Sequence, residues 1–144
     1  MKPFTGAKAV LICDDQIIAI QRDEKPGLRF AGMWDLPGGG REENETPIET
    51  VQREVYEELG MRLHNEDFTY QKEYPAMVET DAIAYFLAVT ITNEQIESII
   101  FGDEGQGWKL TTIEDFINDD NIVPFLRGRL EDFLINTQLP IKSI

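Results

Sequence analysis

The sequence predicts an α/β fold in which a β-sheet is covered by helices on both faces. Three observations carry this expectation. Two short apolar runs, residues 7–13 (AKAVLIC) and 16–21 (QIIAIQ), lie next to one another near the start of the chain. A longer stretch, residues 82–91 (AIAYFLAVTI), is almost wholly apolar, as expected of a strand in the middle of a sheet. Three segments with helix signals are interspersed with these strands, and elements in that order bury their apolar faces by packing helices on both sides of one sheet. The 144 residues suggest a single domain.

The elements follow in order. Asp14-Asp15 separates the first two runs and reads as a hairpin turn. Residues 23–33 (DEKPGLRFAGM) combine Pro, two Gly and mixed charge, so they form a loop. Residues 34–37 are a short extended piece that ends in Gly38-Gly39-Gly40. A helix then begins at Thr46-Pro47-Ile48-Glu49, which supplies an N-cap, a proline at the first helical position and a capping-box glutamate. Ile48, Val51, Val55 and Leu59 continue it at helical spacing, and Gly60 is placed to end it. Residues 68–74 and 82–91 are strand-like, 102–107 (GDEGQG) form a loop, and Trp108-Lys109-Leu110 follows. Residues 112–117 are a short helix and 118–121 (NDDN) a turn. Residues 123–135 make a last helix with Phe125, Leu126, Leu130, Phe133 and Leu134 facing inward.

A net charge of −14 argues against affinity for long nucleic acid or an anionic membrane, which would repel the chain. Part of that charge is either a solvated surface or a metal site. The lone cysteine, Cys13, lies in an apolar run and reads as a small buried hydrophobe. The lone histidine, His64, has no partner histidine for a metal and reads as a loop residue. No apolar stretch reaches 18 residues and no signal-peptide pattern is evident, so the expected location is cytoplasmic.

The helix after the glycines is the most informative stretch. On a wheel at ~100° per residue, its apolar residues occupy a sector roughly 80° wide. Glu54, Glu57 and Glu58 cluster beside that stripe rather than opposite it. Like charges at i,i+3 and i,i+4 each cost a few tenths of a kcal/mol, and the C-terminal half of a helix disfavours negative charge. A solvated glutamate face is one explanation. The other is a hard divalent cation, which prefers oxygen ligands and reverses the sign of the repulsion. The glycines upstream let backbone approach a ligand closely. Arg53, at i,i+4 to Glu57, is placed to hold a carboxylate.

The offsets from Gly39 through Glu45, Arg53-Glu54-Val55 and Glu57-Glu58 to Gly60-Met61 match G-x(5)-E-x(7)-R-E-U-x-E-E-x-G-U, with U apolar, at every position. This resembles the Nudix box, and the surrounding strands and loops extend the likeness over most of the chain. The resemblance implies an α/β/α sandwich around a mixed sheet. It also implies metal-dependent hydrolysis of a nucleoside diphosphate linked to another group. It further implies that Glu54, Glu57 and Glu58 are metal ligands or the base, with the Gly38 carbonyl as a further ligand. Gly39, Glu45, Arg53 and Gly60 then support the box. The implied ion is Mg²⁺, with Mn²⁺ as the alternative.

Glu104-Gly105-Gln106 before a Trp-containing strand resembles the loop of MutT-type enzymes whose glutamate reaches the metal, which makes Glu104 a second candidate base. On the same likeness Arg22 contacts phosphate and Asn121 reads a purine, although a turn or helix cap also accounts for Asn121. Where MutT-type boxes often carry Lys, this chain has Gly40, with Arg41 next as a substitute phosphate contact. The expected substrate is a small nucleotide, first a (d)NTP or an oxidised purine triphosphate such as 8-oxo-dGTP. ADP-ribose, dinucleoside polyphosphates or other conjugates are the alternative, and a non-catalytic nucleotide sensor is the third reading. The expected assembly is a monomer or homodimer.

Overall fold

The computed structural model describes residues 3–76 and 81–137. Its strands are β1 (Phe4–Cys13), β2 (Gln16–Gln21), β3 (Trp34–Asp35), β4 (Gly38–Gly40), β5 (Phe68–Pro75), β6 (Ile83–Thr90) and β7 (Gly107–Thr112). Its helices are α1 (Pro47–Leu59), α2 (Asn93–Glu97), α3 (Ile113–Asn118) and α4 (Phe125–Thr137), with a 3₁₀ turn at Asn65–Asp67.

All seven strands join one sheet, with β3-β2-β1-β6-β5 as its main path, β4 added on β1 and β7 on β2. The sheet is mixed because β1 and β6 run parallel, from Phe4↔Ile83 to Ile12↔Thr90, while the other pairs are antiparallel. β1 and β2 close through the two aspartates, with Cys13 opposite Gln16 and Asp14 in the left-handed region at φ 55°.

Side chains alternate across a strand, so each strand feeds two cores. Ala7, Ala9 and Leu11 of β1 pack with Val51, Val55 and Leu59 of α1. Val10 of β1 packs instead with Phe116 of α3 and with Leu126, Leu130 and Phe133 of α4. The three α1 residues are fully buried, at roughly 1.5–3 kcal/mol each. Helices therefore cover both faces of the sheet, as the strand and helix patterns predicted. The α1 capping box is present, with the Glu49 amide donating to Thr46 Oγ1 (3.1 Å) and the Thr46 amide to Glu49 Oε1 (2.9 Å). Gly60 ends the helix at φ 65°.

The structure differs from the sequence reading in four places. Among the described residues there are four α-helices rather than three. α2 is only five residues long, too short for an apolar period to register, and it is held by its own capping box between Thr92 and Gln95. The glycine run, read only as the end of the extended piece 34–37, is a strand of its own, because pairing with β1 satisfies its backbone. α4 starts two residues later than expected, since the Val123 amide is taken by the Trp34 carbonyl. Cys13 is only partly buried, and its thiol donates to Asn93 Oδ1 at 3.5 Å. His64 is exposed ahead of the 3₁₀ turn, as read. Among the described residues no helix is long and apolar enough to cross a membrane.

Candidate active site

The site is built where β4 passes under α1. β4 lies against β1 with Gly39 opposite Ala7 and Gly38 opposite Lys8. A Cβ on Gly39 would fall 2.4 Å from Glu54 Oε1, and one on Gly38, at φ 130°, 2.2 Å from the Ala7 carbonyl. Glycine at both positions therefore lets the α1 carboxylates rest directly on strand backbone. The Gly38 amide donates to Glu58 Oε1 at 3.0 Å.

Behind this contact Arg53 organises the loop that enters α1. Its guanidinium grips Glu45 with two bonds (2.7 and 3.1 Å) and donates to the Gly40 carbonyl (2.7 Å). It also reaches Glu54 (2.8 Å) and Glu57 (3.2 Å). Glu45 in turn accepts from the Glu42 amide and the buried Thr50 hydroxyl. The hydrogen bonds from Arg53 are the main reason the Glu45 carboxyl is held down to about 2.

The opposite holds at the cleft. Burial pushes the Glu58 carboxyl up to about 8, although Lys8 and the Gly38 amide pull it back. Burial also raises Glu54, against the bond from Arg53. These two carboxyls border a cleft of about 510 Å³, together with Gly38, Gly39, Arg22 and Glu104. The 104–106 loop is clamped over it: the Gly105 amide donates to Asp23 Oδ2 (3.1 Å) and the Gln106 side chain to the Arg22 carbonyl (2.9 Å). Glu104 is exposed on that loop.

Not every residue singled out in the sequence comes to the cleft. Glu57 is more than half exposed on the rim, outside the cleft lining. Gly60 caps the far end of α1. Arg41 turns away: its side chain bonds the Glu45 carbonyl (2.8 Å) and stacks on Phe4. Asn121 donates its side-chain amide to the Gly32 carbonyl (3.2 Å), and its backbone carbonyl accepts from Trp34. Neither Arg41 nor Asn121 borders the cleft.

Two residues not singled out in the sequence do border it. Lys8 Nζ donates to the buried Asp35 Oδ2 (3.0 Å) and lies 3.4 Å from the Gly38 carbonyl. Asp35 also accepts from Arg22 (3.1 Å), so one buried carboxylate ties two cations to the cleft wall. The available signals were a lone lysine in an apolar strand and an aspartate between Trp34 and Leu36.

The cleft is thus lined by both signs of charge, the Glu54 and Glu58 carboxyls together with Lys8, Arg22 and Lys25. The model of the NUDIX domain matches residues 3–133. The chain belongs to the NUDIX family. A Haemophilus influenzae protein named 8-oxo-dGTP diphosphatase is 38% identical over 93 residues, which are 63% of this chain and 62% of that one. The chain spans less than two thirds of the length of the first curated relatives it matches. Among solved structures, the MutT protein from Methanosarcina mazei Go1 superposes with a TM-score of 0.75 at 23% identity, covering 96% of this chain and 98% of that one. A bifunctional NMN adenylyltransferase/ADP ribose pyrophosphatase from Francisella tularensis, complexed with AMP and a Mn ion, gives 0.71 at 23% identity over 95% of this chain and 42% of that one. Both superpositions establish the shared Nudix sandwich.

Proposed function

We propose that this Nudix protein is a divalent-metal-dependent hydrolase that cleaves a phosphoric anhydride bond in a nucleotide, first of all a purine (d)NTP, to the monophosphate and pyrophosphate. The observation that carries the reading is the mixed lining of the cleft. The Glu54 and Glu58 carboxyls, both pushed up by burial, share it with Lys8, Arg22 and Lys25, cations suited to phosphate.

The donor set suits Mg²⁺ or Mn²⁺. Glu54, Glu58 and the Gly38 carbonyl offer hard oxygen ligands on one side of the cleft, with Glu57 at the rim. Among the described residues no three acidic side chains converge into a ready cage. That is the arrangement expected of an ion held by one or two carboxylates plus substrate phosphates. An ion held there would neutralise the phosphates and lower the pKa of the attacking water. Arg22 and Lys8, oriented by Asp35, would hold phosphate oxygens. Water attacks a phosphorus, the P–O bond to the leaving phosphate breaks, and a carboxylate accepts the proton. Glu104 is the candidate base from above, with Glu54 or Glu57 as the alternative from α1. Arg53 and Glu45 position the helix. Arg41 and Asn121 have no part in this site.

A second reading is hydrolysis of ADP-ribose or another conjugate, whose diphosphate the same mixed cleft lining would hold. The test is a hydrolysis panel in Mg²⁺ and in Mn²⁺ with products resolved by chromatography. It spans the common (d)NTPs, 8-oxo-dGTP, ADP-ribose, NADH and Ap4A. Monophosphate plus pyrophosphate from a purine triphosphate is the expected result. AMP from ADP-ribose with triphosphates untouched moves the assignment to the conjugates, and no turnover of any compound overturns the enzyme reading.

A further inference from the structure

The loop that carries Glu104 is tied down at both ends, and its two anchors belong to different parts of the site. Its start rests on the last turn of α1. There the Ile100 amide donates to the Leu59 carbonyl (3.0 Å) and the Gly102 amide to the Glu58 carbonyl (2.9 Å). A Cβ on Gly102 would fall 2.3 Å from the Glu57 carbonyl, so glycine lets the loop lie this close to the helix. Its end rests on the end of β2 and the residues just after it. The Gln106 amide donates to the Gln21 carbonyl (2.8 Å), the Gln106 side chain to the Arg22 carbonyl (2.9 Å), and the Gly105 amide to Asp23 Oδ2 (3.1 Å).

Glu104 lies between those anchors and borders the cleft. The bond from Gly105 is the one next to it along the chain, and its acceptor is a carboxylate. An amide donating to a carboxylate makes a charge-assisted bond, stronger than the neutral backbone bonds beside it. Gly105 has φ 95°, and a Cβ there would lie 2.9 Å from the Gln21 carbonyl. Glycine thus lets this peptide press against β2 with its amide turned to Asp23. Asp23 directly follows Arg22, which borders the same cleft. One short segment therefore places both the arginine and the loop of Glu104.

We propose that Asp23 is a positioning residue of the reaction: through the Gly105 amide it holds the Glu104 carboxylate where the attacking water gives up its proton. The inference rests on the reading of Glu104 as the base. Asp23 itself takes no proton. A small displacement of the base slows the chemical step and leaves the grip on phosphate in place, so the loss falls on kcat rather than KM.

The test compares Asp23→Ala, Asp23→Asn, Glu104→Gln and the double variant Asp23→Ala, Glu104→Gln. Hydrogen exchange of the Gly105 amide in metal-free protein, followed by NMR, reads the tie without turnover. Exchange is expected to be on the order of tenfold faster in Asp23→Ala. Asp23→Asn keeps an acceptor oxygen while losing the ion pair with Lys25 (3.6 Å), and its exchange should stay within about threefold of the parent. Hydrolysis of dGTP in Mg²⁺ reads the consequence. In Asp23→Ala kcat should fall roughly tenfold with KM within about twofold, and Asp23→Asn should recover most of the loss. The double variant should be no slower than Glu104→Gln, because the two residues act as one unit. Additive losses overturn the proposal, as does unchanged Gly105 exchange in Asp23→Ala. A fully active Glu104→Gln overturns the base reading and the proposal with it, whereas a slow Glu104→Gln beside a fully active Asp23→Ala overturns the positioning alone. If dGTP is untouched, ADP-ribose serves for the same comparison. Without turnover of either compound the hydrolase reading falls, and the exchange result still decides whether Asp23 holds the loop.

Discussion

Glu45 lies just before α1 and Glu58 in its last turn, yet their carboxyls are shifted in opposite directions, one to about 2 and the other to about 8. The two are acidic residues of one motif, so the difference lies in what surrounds them. Glu45 spends its charge on Arg53, Thr50 and a backbone amide. Glu58 is buried against the glycine strand with one amide bond and a nearby lysine, and with Glu54 and Asp35 adding negative charge. One carboxylate is consumed in holding the loop and helix together. The other is kept under-compensated at the place where a cation and phosphates are expected.

The largest break of this contrast is the double variant Glu57→Gln, Glu58→Gln. It is expected to cut hydrolysis by at least ~10²-fold with the metal-free fold intact, since both changes replace a carboxylate ligand with a neutral amide and neither removes apolar packing. Initial rates alongside circular dichroism check it, and full activity would sink the metal assignment.

Arg53→Met attacks the other half. Losing the charge-assisted bonds to Glu45 and Gly40 is expected to lower stability by about 1.5–3 kcal/mol. Glu45 has its pKa depressed, so its contribution is present above the ordinary carboxyl value near 4.5 and fades as pH falls toward about 2. Urea melts of parent and variant should therefore differ most above pH 5 and converge in acid. A gap that persists unchanged at pH 2–3 would contradict the assignment.

The pH dependence of Glu58 has the opposite sign. Its folded pKa is raised above 4.5, so its stabilising effect is complete below that pH and is lost as pH rises to about 8. Metal-free Glu58→Gln should be flat across that window and, at pH 8.5, more stable than the parent by on the order of 1 kcal/mol, a few degrees in Tm. Mg²⁺ should raise the Tm of the parent and not of the variant. Equal pH slopes in calorimetric melts would refute this.

The smallest change is Gly39→Ala. The new Cβ meets the flexible end of Glu54 rather than backbone, so stability should fall by less than ~1 kcal/mol. Activity should nonetheless drop roughly tenfold, because the displaced carboxylate no longer faces the cleft. Parallel losses of stability and rate would mean that Gly39 serves the fold alone.

Much of this was legible in the residues and their spacing. The α1 cap, its buried stripe and the Arg53-to-Glu57 contact are separated by no more than one or two helical turns, so local geometry places them. The 104–106 loop was marked by its E-G-Q residues, and it does reach the cleft. Arg41 and Asn121 were marked by type as well, but backbone carbonyls took both side chains. Lys8 and Asp35 carried only a faint signal, because a lone charge in an apolar run has no partner within reach along the chain.

The sequence by itself determined the box: its glycines, its capped helix, and the carboxylates that make hard-cation chemistry the economical explanation. Local spacing suffices there because the helical period sets which side chains share a face. The tertiary structure alone decided which carboxylate is buried and which is exposed, and which cations oppose them. Those outcomes depend on the parallel pairing of β1 with β6, 78 residues on (Lys8↔Phe86), and on α4 packing across it from still farther along the chain. No local pattern encodes the dielectric environment that such contacts create.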